Sequence, residues 1–308
     1  MDIRINEKYD GRALLSYLKF TLRISSACIT RLKKQPLGLT VNGEHVTVRH
    51  ILHTGDLLHV GIEDEEQVNE SILPVPLKLD VIYEDDNLLV INKPAFMPTH
   101  PSHNHHSDTL ANGDAHLYRE RNIPFVFRPV GRLDRNTSGI VVLGKNMAAA
   151  AQFATARERG DVKKTYIAIL EGEMDGESGV IDFPLKRDSD SVIIRTVCSP
   201  DDSGAMNAVT LWERLYCGHG ITLVRAYPKT GRTHQLRVHF ASVGHPILGD
   251  DMYGRESQYI CRHALHAYSL SLVLPFSGEE KTLRAELPSD MENAFSEITG
   301  KTIGSYVK

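Results

Sequence analysis

The chain has 308 residues, enough for roughly two domains at about 150 residues per domain. Hydrophobic residues make up 41% and charged residues 24%, proportions that exclude an intrinsically disordered or collagen-like protein. The net charge of −4 excludes a polycationic nucleic-acid coat but permits a local basic surface. We find no apolar run of about 18 residues for a membrane span and no secretory signal, so we expect a cytoplasmic protein without membrane contact.

The cysteines are widely spaced and form no CxxC pair. This spacing argues against a zinc ribbon, a redox motif or a disulfide framework, so we expect reduced, structural thiols. The four cysteines are Cys28, Cys198, Cys217 and Cys261.

Residues 1–62 form a distinct basic segment, with nine lysines and arginines against five acidic residues. Leucines 14, 15 and 18 predict one short helix, and a cap at Ser25 or Ser26 begins a second helix that runs to the lysines at 33 and 34. Asn42-Gly43 between β-forming residues predicts a hairpin, and a further strand follows Gly55-Asp56. The segment therefore predicts an ααβ unit with one additional strand.

An acidic stretch separates this unit from the rest of the chain. Positions 63–70 hold five acidic residues and no basic one, which is typical of a mobile linker, and we place the linker at 63–78.

From residue 79 onward, short β-forming runs dominate. An alanine-rich helix is predicted over 147–157. Because strands and helices do not alternate regularly, we predict an α+β domain with a largely antiparallel mixed sheet. The predicted strands are two within 81–94 around an acidic turn, then 140–143, 165–170, 193–197, 208–212 and 221–225.

One carboxylate stands out within residues 128–143. Asp134 lies between Arg132 and Arg135. An Asn-Thr-Ser-Gly turn sequence follows Arg135 and leads into a buried strand. Guanidinium and hydroxyl neighbours stabilise the charged form of a carboxylate, and an ionised carboxylate can act as a nucleophile or base. Taken alone, the segment would favour a structural Asp–Arg ion pair in a loop.

A second polar cluster spans residues 230–239, and Tyr166 opens a strand between the two clusters. Leu236 and Val238 alternate with charged neighbours, which predicts a strand that carries Arg237 into a cleft. We interpret His234 as an orienting residue rather than a general base. The polar candidates in this cluster are Arg232, His234, Gln235 and Arg237.

These motifs together resemble the RluA family of RNA pseudouridine synthases, whose signature is HRLDxxTSG. Residues 1–62 resemble the S4 RNA-binding module. One departure is Gly131, where the family most often has histidine, and it leaves the contacts around Arg132 open. The matching segments are Asn92-Lys93-Pro94 with His100-Pro101, "GRLDRNTSG" at 131–139, "KKTYIA" at 163–168, "TGRTHQLRVH" at 230–239 and "GHPILGD" at 244–250.

The resemblance implies an S4-like domain at 1–62, a linker at 63–78 and a pseudouridine synthase domain at 79–308. Asp134 matches the catalytic aspartate, Tyr166 the tyrosine that packs on the flipped uracil, and Arg237 the arginine that pairs with the aspartate. Substrate RNA contacts are expected from Arg132, Arg232, His234, Gln235, Arg31, Lys33 and Lys34. The last three are also compatible with an ordinary solvated helix face.

The family reaction moves uracil from an N1 to a C5 link with the ribose. We expect ribosomal RNA as the first candidate substrate and transfer RNA as the second, with the uridine flipped out of its stack. Attack of Asp134 on C1′ or on C6, or assistance to a glycal route, all stay open. We expect no metal, no organic cofactor and a monomer.

Two other classes of protein compete with this interpretation. A metal-dependent hydrolase is suggested by 15 histidines, several of them grouped at 100–106 and 263–266, but no HExxH or paired CxxC supports it. The other is a non-catalytic RNA-binding protein built on the S4-like module, against which Asp134, Tyr166 and Arg237 together argue.

Overall fold

The computed structural model describes residues 2–22, 24–61, 71–274 and 277–307. No helix within those ranges is both long and apolar enough to cross a membrane. The helices are α1 (Leu14–Ser16, continued by a π-helical turn Tyr17–Thr21), α2 (Ser26–Leu32), α3 (Leu110–Glu120), α4 (Met147–Glu158), α5 (Gln235–Ser242) and α6 (Ser289–Thr299). The strands are β1 (Asp2–Arg4), β2 (Leu39–Val41), β3 (Glu44–His45), β4 (Leu57–Val60), β5 (Asp80–Glu84), β6 (Leu88–Lys93), β7 (Ser138–Gly144), β8 (Lys163–Glu171), β9 (Ser178–Asp182), β10 (Leu185–Arg187), β11 (Arg195–Val197), β12 (Val209–Gly218), β13 (Ile221–Pro228), β14 (Leu265–Val273) and β15 (Glu280–Arg284).

The N-terminal unit is a small sheet with strand order β1-β4-β2-β3, covered by α1 and α2. Helix α2 begins as predicted, because the Ser25 hydroxyl accepts a hydrogen bond from the Cys28 amide at 3.2 Å. The Asn42-Gly43 hairpin is confirmed, with both turn residues at positive φ (53° and 85°). The resemblance of this unit to an S4 module stays a prediction.

The central sheet contains nine of the described strands, in the order β5-β6-β7-β14-β8-β13-β12-β9, with β15 paired to β14. Every neighbouring pair is antiparallel except β7 and β14. The predicted α+β class with a largely antiparallel mixed sheet is therefore confirmed.

The middle strands of this sheet are buried on both faces, as β6 illustrates. Leu89 and Ile91 pack into the core that α5 and α6 cover, whereas Leu88 and Val90 face the core that holds α4. Successive side chains of a strand point to opposite faces, so a continuous apolar run is what a two-sided core requires.

One predicted element is wrong and another is shorter than predicted. Residues 235–242 form a helix, α5, rather than a strand: side chains 235–240 are all buried, so no polar face marks the helical period. The strand predicted at 193–197 begins at Arg195, because the Ser191 hydroxyl accepts hydrogen bonds from the Ile193 and Ile194 amides and holds a turn there.

The predicted linker is shorter than 63–78. The Asn112 side-chain amide on α3 donates to the Leu73 carbonyl at 2.7 Å, and the Val75 amide donates to the Asn112 carbonyl at 3.1 Å. Residues 73–77 therefore belong to the surface of the larger domain. The acidic positions 63–70 lie outside the described residues.

Candidate active site

The loop that carries Asp134 is anchored at Thr137 by two hydrogen bonds. The Thr137 amide donates to the Asp134 carbonyl at 3.1 Å, and the Thr137 hydroxyl lies 2.8 Å from His263 Nε2. At Gly139, with φ 108°, an added Cβ would lie 2.3 Å from the Ala267 carbonyl oxygen. Only glycine permits this approach of β7 to β14, so the end of the motif fixes where the loop leaves the sheet.

The Ser138 hydroxyl hydrogen-bonds to His266 Nδ1 at 2.9 Å. Burial lowers the pKa of His266 from 6.5 to about 4 and that of His263 to about 3. Both imidazoles are therefore neutral in the folded protein over the range in which they become charged in the unfolded chain.

Acid should therefore destabilise the protein between about pH 6.5 and pH 4, because these two histidines bind protons in the unfolded chain but not in the folded one. Each imidazole should add a slope of about 1.4 kcal/mol per pH unit to the free energy of unfolding. Urea titrations at pH 7 and pH 5 measure this loss. His266→Gln should show a shallower loss than the unmodified protein, and an identical loss in both would contradict the assignment.

The carboxylate of Asp134 faces two groups on the opposite side of the cleft. Its Oδ2 lies 3.4 Å from Arg237 Nη1 and 3.8 Å from His234 Nε2. The side chain retains 27% of its exposure, so it is enclosed but can be reached from the cleft. The structure thus brings together Asp134, Arg237 and His234, as the two sequence clusters predicted.

Arg237 is held by a second acid, Asp250, that the sequence did not single out. Arg237 Nε and Nη2 each donate to Asp250 at 2.7 Å, and the Asp250 side chain is completely buried. Burial opposes ionisation of both groups, but the hydrogen bonds and the opposite charge outweigh it, so the pKa of Asp250 is lowered and that of Arg237 is raised. The guanidinium is therefore a fixed cation with one nitrogen directed at Asp134.

Tyr166 lies on β8 and is 9% exposed. Burial, followed by the charge of Asp134, raises the pKa of its phenol. The phenol is therefore protonated at neutral pH, and its ring is part of the enclosed wall near Asp134.

His234 is positioned by Tyr253, another residue that the sequence did not single out. The Tyr253 hydroxyl lies 2.8 Å from His234 Nδ1 and accepts a hydrogen bond from the Arg195 amide at 2.9 Å. The hydroxyl can therefore donate its proton to Nδ1, which leaves Nε2 as the protonated nitrogen that faces Asp134. Burial lowers the pKa of His234, which favours the neutral ring, and its orienting role stays a prediction.

Two buried cations hold the backbone beneath Asp134. Lys93 Nζ donates to the carbonyls of Pro94, Met97 and Arg135 at 2.8, 2.9 and 3.1 Å, which gives each N–H of the ammonium one acceptor. Burial and then the charge of Arg262 lower the pKa of Lys93 to about 7, while Asp134 opposes this shift. The lysine thereby ties the segment after β6 to the loop that carries Asp134.

Arg262 is the second of these cations. It donates to Asp290 at 2.7 and 2.9 Å and to the Asn136 carbonyl at 3.1 Å, and its side chain is fully buried. Local motifs did not assign Arg262 this role, because its partners are distant along the chain.

Gly131 has a backbone conformation that explains the absence of histidine. Its φ of 148° is one that residues with a side chain rarely adopt. A Cβ there would lie 3.4 Å from Lys164 Nζ and 3.7 Å from Arg157 Nη1. Burial and then the charge of Arg157 lower the pKa of Lys164 to about 8. Two cations thus flank the turn that precedes the exposed Arg132.

The remaining predicted contacts differ in how freely they can meet RNA. Arg232 is exposed, with Nε bonded to the Asn207 carbonyl at 2.9 Å. Gln235 is buried and its amide makes four hydrogen bonds within the protein, so it organises the 230–235 loop instead of facing the cleft. In the N-terminal unit, Lys33 and Lys34 are exposed, whereas Arg31 is half-buried.

Histidines in the first of the two groups that suggested a metal site contact neighbouring residues of their own segment. His105 Nδ1 pairs with Asp108 at 2.6 Å, and His106 Nε2 lies 2.8 Å from the His103 carbonyl. Over the part of the chain that the structure describes, no three histidine, cysteine or acidic side chains are placed to hold a metal ion together.

Comparison with known proteins identifies the family of the chain. Residues 87–242 match the family described as RNA pseudouridylate synthase. The chain is 41% identical to the uncharacterized RNA pseudouridine synthase YjbO of Bacillus subtilis, over 88% of this chain and 94% of that protein. It is 36% identical to ribosomal large subunit pseudouridine synthase D of Zymomonas mobilis, over 72% of this chain and 73% of that protein.

A solved structure titled "Human RNA Pseudouridylate Synthase Domain Containing 4" superposes with a TM-score of 0.59 at 26% identity, covering 71% of this chain and 92% of that one. The fold and the sequence thus define an isomerase that acts on uridine in RNA. The chain belongs to the RNA pseudouridylate synthase family, and the resemblance to its RluA branch is confirmed.

Proposed function

We propose that Asp134 starts the isomerisation of a uridine that has left the RNA stack and lies against Tyr166. The observation that carries this proposal is the 3.4 Å approach of the partly exposed Asp134 carboxylate to Arg237, a cation fixed by Asp250. A carboxylate held in this way keeps its orientation without losing access to the cleft, which a nucleophile needs.

The bonds and protons of the reaction balance within the substrate. The C1′–N1 bond breaks, the uracil turns, C5 bonds to C1′, C5 loses its proton and N1 gains one. Asp134 adds to C1′ or to C6 and then departs, or it assists a glycal route. A carboxylate suits each route because it can both attack and leave. The protonated phenol of Tyr166 is placed to support the ring and to exchange a proton with it.

A uridine that is stacked in a helix has to be flipped before it can react. C1′ and C5 are inaccessible inside a stacked helix, so the nucleotide must rotate out at a cost of a few kcal/mol, least in a loop or bulge. Arg132, Arg157 and Lys164 form a basic edge beside the Asp134 loop, and phosphates on either side of the target can lie against it.

We assign ribosomal RNA as the first candidate substrate and transfer RNA as the second. Pseudouridine maps of both RNA fractions, from cells with and without this protein, test the assignment. Loss of a ribosomal site that the purified protein restores on protein-free ribosomal RNA would support it. Loss of a pseudouridine only in transfer RNA would make transfer RNA the substrate. Unchanged maps of both fractions would contradict the assignment.

The N-terminal unit is proposed to bind RNA through the exposed Lys33 and Lys34, which follow α2. Replacing both lysines with glutamine should weaken RNA binding at low salt and reduce the slope of log K against log salt by about one for each lost phosphate contact. Filter binding of protein-free ribosomal RNA across a salt series measures the slope. The exposed lysines at 78 and 301 provide a control of equal charge change, and equal slopes in both double variants would exclude this surface.

The reaction is proposed to take place in the cytoplasm. The four cysteines are free, and the three whose side chains are partly or fully accessible would be prone to oxidation in a secretory compartment. Expression of a fluorescent fusion that retains activity, followed by fractionation, tests this location.

A further inference from the structure

Phe96 is a large apolar side chain placed in the open beside the catalytic loop. Its side chain is 44% exposed. Arg135 Nε donates to the Phe96 carbonyl at 3.4 Å. Lys93 Nζ donates both to the carbonyl of the neighbouring Met97 and to that of Arg135. Because Arg135 directly follows Asp134, the backbone of Phe96 is fixed to the loop that carries the proposed nucleophile.

The conformation of Phe96 is unfavourable for a bulky residue. Its φ is 65°, in the left-handed region that glycine occupies at no steric cost. Phe96 belongs to none of the hydrophobic clusters in the described chain, and no aromatic ring there lies within stacking distance of it. The residue therefore combines an unfavourable backbone conformation with an aromatic side chain that is partly open to solvent. Residues of this kind are found at ligand-binding positions.

We propose that Phe96 stacks on an unpaired nucleobase of the substrate RNA, next to the flipped uridine. The inference rests on the proposed function, since it assumes that RNA crosses the mouth of the Asp134 site. Flipping one nucleotide exposes the faces of the bases on either side, and a phenyl ring held beside the cleft can cover one of them. The exposed Arg135 next to it can meet the adjoining phosphate. Base stacking is insensitive to sequence, so this contact selects an unpaired neighbour rather than a particular base.

The decisive variant is Phe96→Gly, for which folding and binding are expected to change in opposite directions. Glycine relieves the strain at φ 65°, so the urea midpoint should equal or exceed that of the unmodified protein. Loss of the ring should weaken RNA binding and raise KM by about 5- to 100-fold, with a smaller effect on kcat. Phe96→Trp should retain the binding, whereas Phe96→Leu, apolar but without a flat face, should not.

A direct readout uses a single-stranded RNA of about twelve nucleotides with alternating uridine and 2-aminopurine, because stacking on an aromatic ring changes the fluorescence of that base. The change should be present with the unmodified protein and with Asp134→Asn, and it should be lost with Phe96→Gly. This pattern separates the two proposals, since Asp134→Asn tests the chemistry and Phe96→Gly tests the contact.

His219→Gly is the matched control. His219 also has positive φ (59°), but it lies in the β12–β13 turn, next to Glu171 at the end of β8 remote from Tyr166. Its replacement should leave RNA affinity unchanged. The proposal is overturned if Phe96→Gly binds the oligonucleotide and ribosomal RNA as tightly as the unmodified protein, or if Phe96→Leu matches Phe96→Trp.

Discussion

Asp134→Asn is expected to lower pseudouridine formation by about four orders of magnitude or more, because the amide can neither add to the nucleotide nor leave as a stable anion. Asparagine has nearly the same shape and can still hydrogen-bond to Arg237, so folding and RNA affinity should persist. Release of tritium from RNA labelled at uridine C5 measures turnover, and filter binding measures affinity.

Asp86→Asn is the control for the change of charge, since Asp86 is an exposed acid in the β5–β6 turn. It should leave both measurements unchanged. Full turnover by Asp134→Asn would remove the aspartate from the mechanism. Loss of binding together with turnover would instead indicate a role in holding RNA, which is what a non-catalytic RNA-binding protein would require.

Asp250→Asn should destabilise the protein by about 3–5 kcal/mol, because it leaves the buried guanidinium of Arg237 without a counter-charge. Turnover should fall as well, since Asp250 fixes the guanidinium that faces Asp134. Oδ1 of Asp250 also accepts from the Met252 and Tyr253 amides, so the variant should loosen the segment that orients His234. Urea unfolding and tritium release measure the two effects.

The Lys186–Asp202 pair offers a control at the same 2.7 Å separation, but its side chains are 35% and 37% exposed to water. Asp202→Asn should change the urea midpoint little, because solvent screens such a pair. If Asp250→Asn and Asp202→Asn unfold at the same urea concentration, burial of the Arg237 pair is not a source of stability.

Much of the candidate site could be predicted from local motifs. The strand after "TSG", the cap of α2 and the Asn42-Gly43 hairpin each depend on residues within a few positions of one another, which is the range over which propensity acts. Asp134, Tyr166 and Arg237 were found because each lies in a motif of its own. The error at α5 has the opposite cause: a short helix that is buried on all sides carries no periodic signal.

The supports of the site could not be predicted in this way. Arg237 and Asp250 are 13 residues apart, Arg262 and Asp290 are 28 apart, and Lys93 reaches a carbonyl 42 residues away. Pairing at such separations depends on how the sheet is assembled. Asp250 lies in the matching "GHPILGD" segment, but neither that segment nor the sequence around Arg262 identifies the partner of the charged side chain. Phe96 likewise becomes unusual only when its φ is known.

Lys93 and Arg262 hold the Asp134 loop through its backbone and not through its side chains. Both cations hold peptide oxygens, those of residues 135 and 136, and every amino acid supplies such an oxygen. These two positions are the variable pair of the LDxxTSG signature. Their side chains can therefore vary without loss of the two hydrogen bonds that hold the backbone of the Asp134 loop.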